Sequence, residues 1–416
     1  MLLASCNINN KNKTSEKRSV NVSENLRPRQ QAIQRSADTP VPAAYQLDQW
    51  VTALKGKTIA LVGNQTSAIP TSTANAPGKW DASNSIEYTH LVDTLLARNI
   101  NIKSVFAPEH GFRGTADAGA TIEDGIDQKT GIPIISLYGK NKKPTPQQIS
   151  GLDLVVFDIQ DVGARFYTYI STLHYVMEAC AEQGIPVMIL DRPNPNGHYV
   201  DGPVLEAAHK SFVGMHPVPI IHGMTIAEYA QMINGEGWLE KGLTCELIIQ
   251  NAVNYYHDSV YNLPINPSPN LPNDQSINLY PSLCLFEGTE VSVGRGTNMQ
   301  FQVYGSPSLA KYIDFSFTPT PNPGAKRPKF NGKRCFGVDL REYPRLDKIE
   351  LGFLVDAFAK APYKESFFNT FFTKLAGTET LQRQIESGMT AEEISATWQQ
   401  GLEQYRQMRS KYLIYE

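Results

Sequence analysis

Five uninterrupted apolar runs in the first two thirds of the chain constrain its fold more than any other feature. They occupy residues 58–62, 103–107, 132–137, 153–159 and 185–190, and Val, Ile, Leu, Phe and Ala dominate each of them. A strand with one wet face alternates apolar and polar residues, whereas a strand covered on both faces does not. Helical patterns separate several of the runs, around 87–97 and over 166–182, where Gly184 stops the second helix. Buried strands alternating with helices predict an α/β, Rossmann-like doubly wound fold with a mostly parallel sheet.

Near Tyr261 the texture changes. Residues 262–281 (NLPINPSPNLPNDQSINLYP) are crowded with Pro and Asn and read as a long ordered connection. Gly-rich, β-leaning stretches follow at 283–304 and 334–340, then helical ones near 351–361 and 391–412. The expected organisation is a Rossmann-like domain over 45–265 and a second, smaller α+β domain over 266–416.

Residues 1–44 have a different character. Leu3-Ala4-Ser5-Cys6 has the form of a lipobox, and a polar stretch rich in Asn, Lys, Arg, Ser and Gln follows it. Such a stretch buries too little surface to fold and reads as a tether. The expectation is a bacterial lipoprotein of the cell envelope, on its periplasmic side, anchored through a lipidated Cys6, with signal regions upstream of Met1. No apolar run is long enough to cross a bilayer. A net charge of -3 argues against a nucleic-acid partner. Cys180, Cys245, Cys284 and Cys335 are widely spaced and form no C-x-x-C, and the apolar settings of Cys180 and Cys245 predict buried free thiols.

In an open α/β sheet, ligands bind outside the carboxyl ends of the strands. The first run ends at Asn64 and Gln65; the second at Glu109 and His110, with Arg113 one turn on. The fourth ends at Asp158, Gln160, Asp161 and Arg165, with Tyr167 and Tyr169 beyond, and the fifth at Asp191, Arg192 and Asn194. Acids and arginines gathered at three strand ends read as a functional site. Further on, Glu287-Gly288-Thr289-Glu290 precedes Gly294-Arg295-Gly296, a loop that can lend Glu287, Glu290 or Arg295 to the same cleft.

Several chemistries are excluded. No strand is followed by G-x-G-x-x-G, so a dinucleotide cofactor is not expected. Neither G-x-S-x-G nor H-E-x-x-H occurs. S-x-x-K at Ser308–Lys311 and K-T-G at 129–131 stand in the reverse of the penicillin-binding order. His216 and His222 flank a Pro-rich segment that reads as a structural loop offering His222 to a sugar; a metal pair is the other reading, and no metal is expected. The remaining mixture of carboxylates, amides and aromatics suits a glycoside, for which one carboxyl protonates the leaving oxygen while a second activates water or supports positive charge. Arginine is superfluous for a neutral sugar and points to a carboxylate on the substrate.

The strings PEHGFRG (108–114), FDIQDVGARFYTY (157–169), LDRPNPNG (190–197), HGMT (222–225) and LFEGTEVSVGRGT (285–297) stand in this order along the chain. Together with KLAGTETLQRQI (374–385), they resemble the exo-β-N-acetylmuramidase family known as NamZ, over residues 51–415. The resemblance implies removal of N-acetylmuramic acid from the non-reducing ends of peptidoglycan fragments, in a cleft between a Rossmann-like catalytic domain and an auxiliary domain. The substrate would be a muropeptide or a MurNAc–GlcNAc disaccharide, whose lactyl carboxylate accounts for the arginines. Within that resemblance Glu109 is the expected catalytic acid, His110 accompanies it, and Asp158 or Asp161 is its partner. A muropeptide-binding lipoprotein without catalysis, and an amidase or esterase acting on muropeptides, are the competing readings.

Overall fold

A computed structural model of the chain describes residues 39–71, 86–113, 123–311 and 314–416. The lipobox and the expected tether up to residue 38 lie outside the described residues. The apolar runs are strands. β1 (Thr58–Gly63), β4 (Asn101–Ala107), β6 (Pro133–Ser136), β7 (Leu154–Asp158), β8 (Val187–Leu190) and β9 (Leu247–Gln250) join β5 (Gly125–Ile126) in one sheet. β2 (Ala68–Pro70) and β3 (Tyr88–His90) pair as a separate ribbon beyond the end of β1.

The sheet runs β5-β6-β4-β1-β7-β8-β9, and every pairing is parallel except that of the edge strand β5. From β1 the chain winds outward through β4 to β6, then returns to the other side of β1 and winds through β7 to β9. The direction therefore switches between β1 and β7. Gly63 is level with Asp158 and Val62 with Phe106, so the strand ends share one edge.

Burial on both faces accounts for the missing alternation. Ile59, Leu61, Val105, Val156 and Met188 face one apolar cluster, with Trp50, Leu91 and Leu95. Ala60, Val62, Phe106, Phe157 and Ile189 face the other, with Leu173 and Met177 of the helix Tyr169–Gln183. That helix ends where Gly184 adopts φ 66°, as the sequence predicts. The expected fold class holds: a mostly parallel sheet with helices, joined by a smaller part with an antiparallel sheet. In the latter, β12 (Cys335–Asp339) lies between β10 (Val303–Ser306) and β11 (Ser316–Phe317).

Three details differ from expectation. Residues 40–44, assigned by composition to the tether, are buried: Val41 pairs with Val253, and the Ala43 N–H donates to the Asp191 carbonyl at 2.9 Å. The Pro- and Asn-rich connection gives way to a helix, Asp274–Leu283, because Asn273 and Ser276 form a capping box. The β-leaning stretch 283–304 holds a 3-10 helix, Cys284–Gly288, followed by turns and irregular chain, with only its last two residues in β10. The four cysteines in described segments are buried free thiols.

The end of β7 is locked to the end of β8. Asp158, fully buried, accepts from Arg192 Nε at 2.6 Å and from Nη2 at 3.0 Å. Removing one member of a buried pair strands the other's charge, which costs about 3–5 kcal/mol. Arg192→Met should lose stability of that order in urea denaturation, and Asp158→Leu/Arg192→Met should regain part of it. A single variant as stable as wild type would show that the pair does not hold the strand ends.

Candidate active site

The crevice at the β1/β7 switch is filled by its own polar residues. Asn64, fully buried, donates from Nδ2 to the Tyr169 hydroxyl at 2.8 Å, while its Oδ1 accepts from the Thr66 N–H and hydroxyl at 2.9 and 2.6 Å. Ser67 donates its hydroxyl to the Asp158 carbonyl. Gln65 reaches the carbonyls of Asn266 and Pro267, and Gln160 those of Asp161 and Pro193. These groups knit loops together, and the open space lies beside them.

That space is a cavity of about 780 Å³. Glu109 and His110 line it from the end of β4, Tyr138 from beyond β6, and residues 166–169 from the start of the helix Tyr169–Gln183. The C-terminal half adds Tyr280, Glu287, Arg295 and Phe301, the turn 324–329, and Phe371 with Leu375.

Glu109 sits on a sharp bend, with His110 at φ 72° and Gly111 at φ 75°. Two successive left-handed residues turn the chain away from the sheet and leave the carboxylate in the cavity. Thr168 donates its hydroxyl to Glu109 Oε2 at 2.8 Å. Tyr138 lies beside Glu109, and burial, followed by the nearby Glu109 charge, pushes its phenol well up, so that it remains a proton donor. The residue is half-buried, with its carboxylate held by Thr168.

Aromatic rings form much of the remaining wall. Tyr167 and Tyr169 meet edge to face at 4.9 Å, and Tyr280 packs in the same way against Tyr167 and Phe301. The Tyr167 hydroxyl donates to the Pro267 carbonyl at 2.8 Å. Glu287, the second carboxylate on the lining, accepts from Arg295 Nε at 2.5 Å and Nη2 at 3.1 Å, and Arg295 lies over the Phe301 ring. Lys329 donates to the carbonyls of Thr289 and Val291 at 2.6 and 3.0 Å. A half-buried carboxylate, rigid aromatic faces and cations in one cavity form a site for a polar ring that carries a negative charge.

The chain as a whole is similar to known proteins. Residues 59–275 match the family model for the N-terminal part of the exo-β-N-acetylmuramidase NamZ, and residues 278–415 match the model for its C-terminal part. The chain belongs to the NamZ family. It is 36% identical to the peptidoglycan β-N-acetylmuramidase NamZ of Bacillus subtilis (strain 168), over 94% of each chain. Crystal structures of two DUF1343 family proteins from Bacteroides fragilis NCTC 9343 are similar to it. One has 43% identity and a TM-score of 0.79, the other 25% and 0.74, each over 91% of this chain and 99% of its own.

Of the residues expected from sequence, Glu109, His110, Tyr167, Tyr169, Glu287 and Arg295 meet in the NamZ cavity. The others lie elsewhere. Asp158 and Arg192 are paired with each other, so neither carboxylate nor guanidinium points at open space. Arg113 forks onto Asp127 at 2.9 and 2.7 Å and reaches Asp93. Arg165 is fully buried and donates to the carbonyls of Pro203, Val218, Leu375 and Ala376. Asp191 accepts from the Ala227 N–H at 3.0 Å and the Tyr415 hydroxyl at 2.7 Å. Asn194 donates to the Met224 carbonyl, and Glu290 is exposed off the cavity.

His222 is buried with Nε2 at 3.9 Å from Asp161 Oδ2, away from the lining, and burial lowers its pKa to about 3. His216 uses both ring nitrogens, on Tyr229 and His174 at 3.0 Å each. Sequence reasoning missed Tyr138, Thr168, Arg327 and Lys329. Tyr138 stands just past the third apolar run, whose end was the one strand end left out of the inventory.

Burial pushes the carboxyls of Asp161 and Asp191 up to about 7. A carboxyl whose pKa is raised in the folded protein binds more protons there than in the unfolded chain, so stability falls as pH rises. The fall runs from about pH 4 to about pH 7, with a ceiling on the order of 4 kcal/mol per group. Asp161→Asn should flatten that slope in denaturation curves taken between pH 5 and 8. An unchanged slope would mean that Asp161 does not titrate in this window.

Proposed function

We propose that this chain is an exo-acting glycoside hydrolase that releases N-acetylmuramic acid from the non-reducing ends of peptidoglycan fragments. The observation that carries the reading is Glu109, half-buried in an aromatic cavity, held by Thr168 and flanked by Tyr138. Membership of the NamZ family and the named activity of the B. subtilis relative support it.

In this mechanism Glu109 is the acid. In that role it gives a proton to the glycosidic oxygen as the bond to the anomeric carbon breaks; positive charge develops on the sugar ring, and water adds to the anomeric carbon, releasing N-acetylmuramic acid and returning a proton to the carboxylate. Thr168 orients the carboxyl before reaction, so little reorganisation remains for the transition state. Glu287, held by Arg295, is the second carboxylate within the cavity and takes the role that sequence reasoning gave to Asp158 or Asp161. The Tyr167 and Tyr169 rings offer flat faces to the sugar.

A positioned acid contributes roughly 10²–10⁴-fold in rate. Glu109→Gln should lower kcat on a MurNAc–GlcNAc disaccharide by about that factor while leaving the dissociation constant of the same order. Turnover at the wild-type rate would remove Glu109 from the mechanism. Cleavage of amide bonds in muropeptides, with no free N-acetylmuramic acid formed, would replace the glycosidase with an amidase.

We further propose that the protein is held at the bacterial envelope, on its periplasmic side, through a lipidated Cys6. The lipobox-like Leu3-Ala4-Ser5-Cys6 and the polar stretch behind it support this. Metabolic labelling with a fatty-acid analogue should mark the wild type and not Cys6→Ser. Equal labelling of both would end the proposal.

A further inference from the structure

The cavity holds two guanidinium groups, and they differ in one respect. Arg295 is engaged by Glu287 through two hydrogen bonds. Arg327 lines the same cavity, is exposed to it, and makes no ion pair or side-chain hydrogen bond among the described residues.

The backbone around Arg327 is fixed although its side chain is not. Three residues before it, Gly324 has φ 93° and accepts at its carbonyl from Asn270 Nδ2 at 2.7 Å. A Cβ on Gly324 would come within 2.7 Å of Pro269, so the turn lies tight against the connection that precedes the helix Asp274–Leu283. On the other side, Pro328 packs so closely on Gly296 that a Cβ there would meet it at 2.7 Å. Lys329 then ties the turn to the carbonyls of Thr289 and Val291. Arg327 is thus carried on a closely packed turn, with its exposed side chain on the cavity lining.

The geometry points to Arg327 as the residue that reads the lactyl carboxylate of N-acetylmuramic acid. This rests on the muramidase reading above and deepens it. N-acetylmuramic acid differs from N-acetylglucosamine by the lactyl ether, whose carboxylate is the only ionised group on the sugar. A planar guanidinium matches a carboxylate through two parallel N–H···O bonds, which a lysine cannot supply. Arg113, Arg165 and Arg192 are each engaged within the protein and do not line the cavity.

Calorimetric titration of the wild type, Arg327→Gln and Arg327→Lys with N-acetylmuramic acid and with N-acetylglucosamine tests the assignment. The wild type should prefer N-acetylmuramic acid by roughly 10- to 100-fold, the worth of a charge-assisted hydrogen bond. Arg327→Gln should erase that preference, and Arg327→Lys should recover part of it. A preference retained in Arg327→Gln, or absent from the wild type, overturns the assignment. Release of N-acetylmuramic acid from MurNAc–GlcNAc by the wild type is followed in parallel. No release, with the Arg327-dependent preference intact, removes the hydrolase reading and leaves Arg327 as the carboxylate reader. Release with the preference unaffected by Arg327→Gln removes Arg327 alone.

Discussion

Arg165 holds together the parts of the chain from which the cavity is made. Its guanidinium is buried without a facing carboxylate and is neutralised by the dipoles of four carbonyls, at Pro203, Val218, Leu375 and Ala376. Burial pulls its pKa down to about 9, which still leaves it charged at neutral pH. A buried cation needs partners for its donors, and the four carbonyls that meet Nη1 and Nη2 each fix one loop against the next. Phe166 to Tyr169 follow directly in sequence, and Leu375 lies on the far segment, so one side chain sets the spacing between two stretches of cavity wall. Gly377 belongs to the same device: a Cβ there would lie 2.6 Å from Arg165 Nη2, and its φ of 78° closes the short helix Phe372–Ala376.

The crossover order explains why so many polar residues crowd one edge, and also why most of them are not available to a ligand. At the switch between β1 and β7 the two halves of the sheet diverge, and the loops leaving it have few backbone partners of their own. Asn64, Gln65, Gln160, Asn194 and Asn196 supply those partners. A buried network of this kind ties its members to fixed positions. Here it stiffens the floor from which Tyr169 and the Glu109 bend rise, so the crevice supports the cavity that lies beside it.

This division sets how much of the molecule was legible in its sequence. The sheet could be read because burial on both faces of a strand writes itself directly as an apolar run, as in Leu154–Asp158. The second part was harder, since its order rests on single contacts that leave no periodic trace. The Asn273 capping box and the seat of Lys329 on three carbonyls are examples. For the site, residue types at strand ends were informative but side-chain direction was not. Arg113, Arg165 and Arg192 look alike in sequence to Arg295, yet only local geometry decides which carboxylates and carbonyls they meet. Glu109 follows the end of the second apolar run and Tyr138 the end of the third, and both line the cavity.

The charges within the cavity are divided by origin. Glu109, Thr168 and Tyr138 come from the stretch that matches the N-terminal family model, whereas Arg295, Arg327 and Lys329 come from the C-terminal one. On the roles proposed here, the proton donor and the carboxylate reader sit on different parts of the chain, and neither part alone could both recognise and cleave. Their separation must then match the span from lactyl group to glycosidic oxygen within one sugar ring. The tolerance for that match is small, because a displacement of about 1 Å can cost 10²-fold in rate. A fully buried arginine bonded to both parts, with a glycine opposite it where no side chain fits, is the kind of fastening that such a tolerance demands.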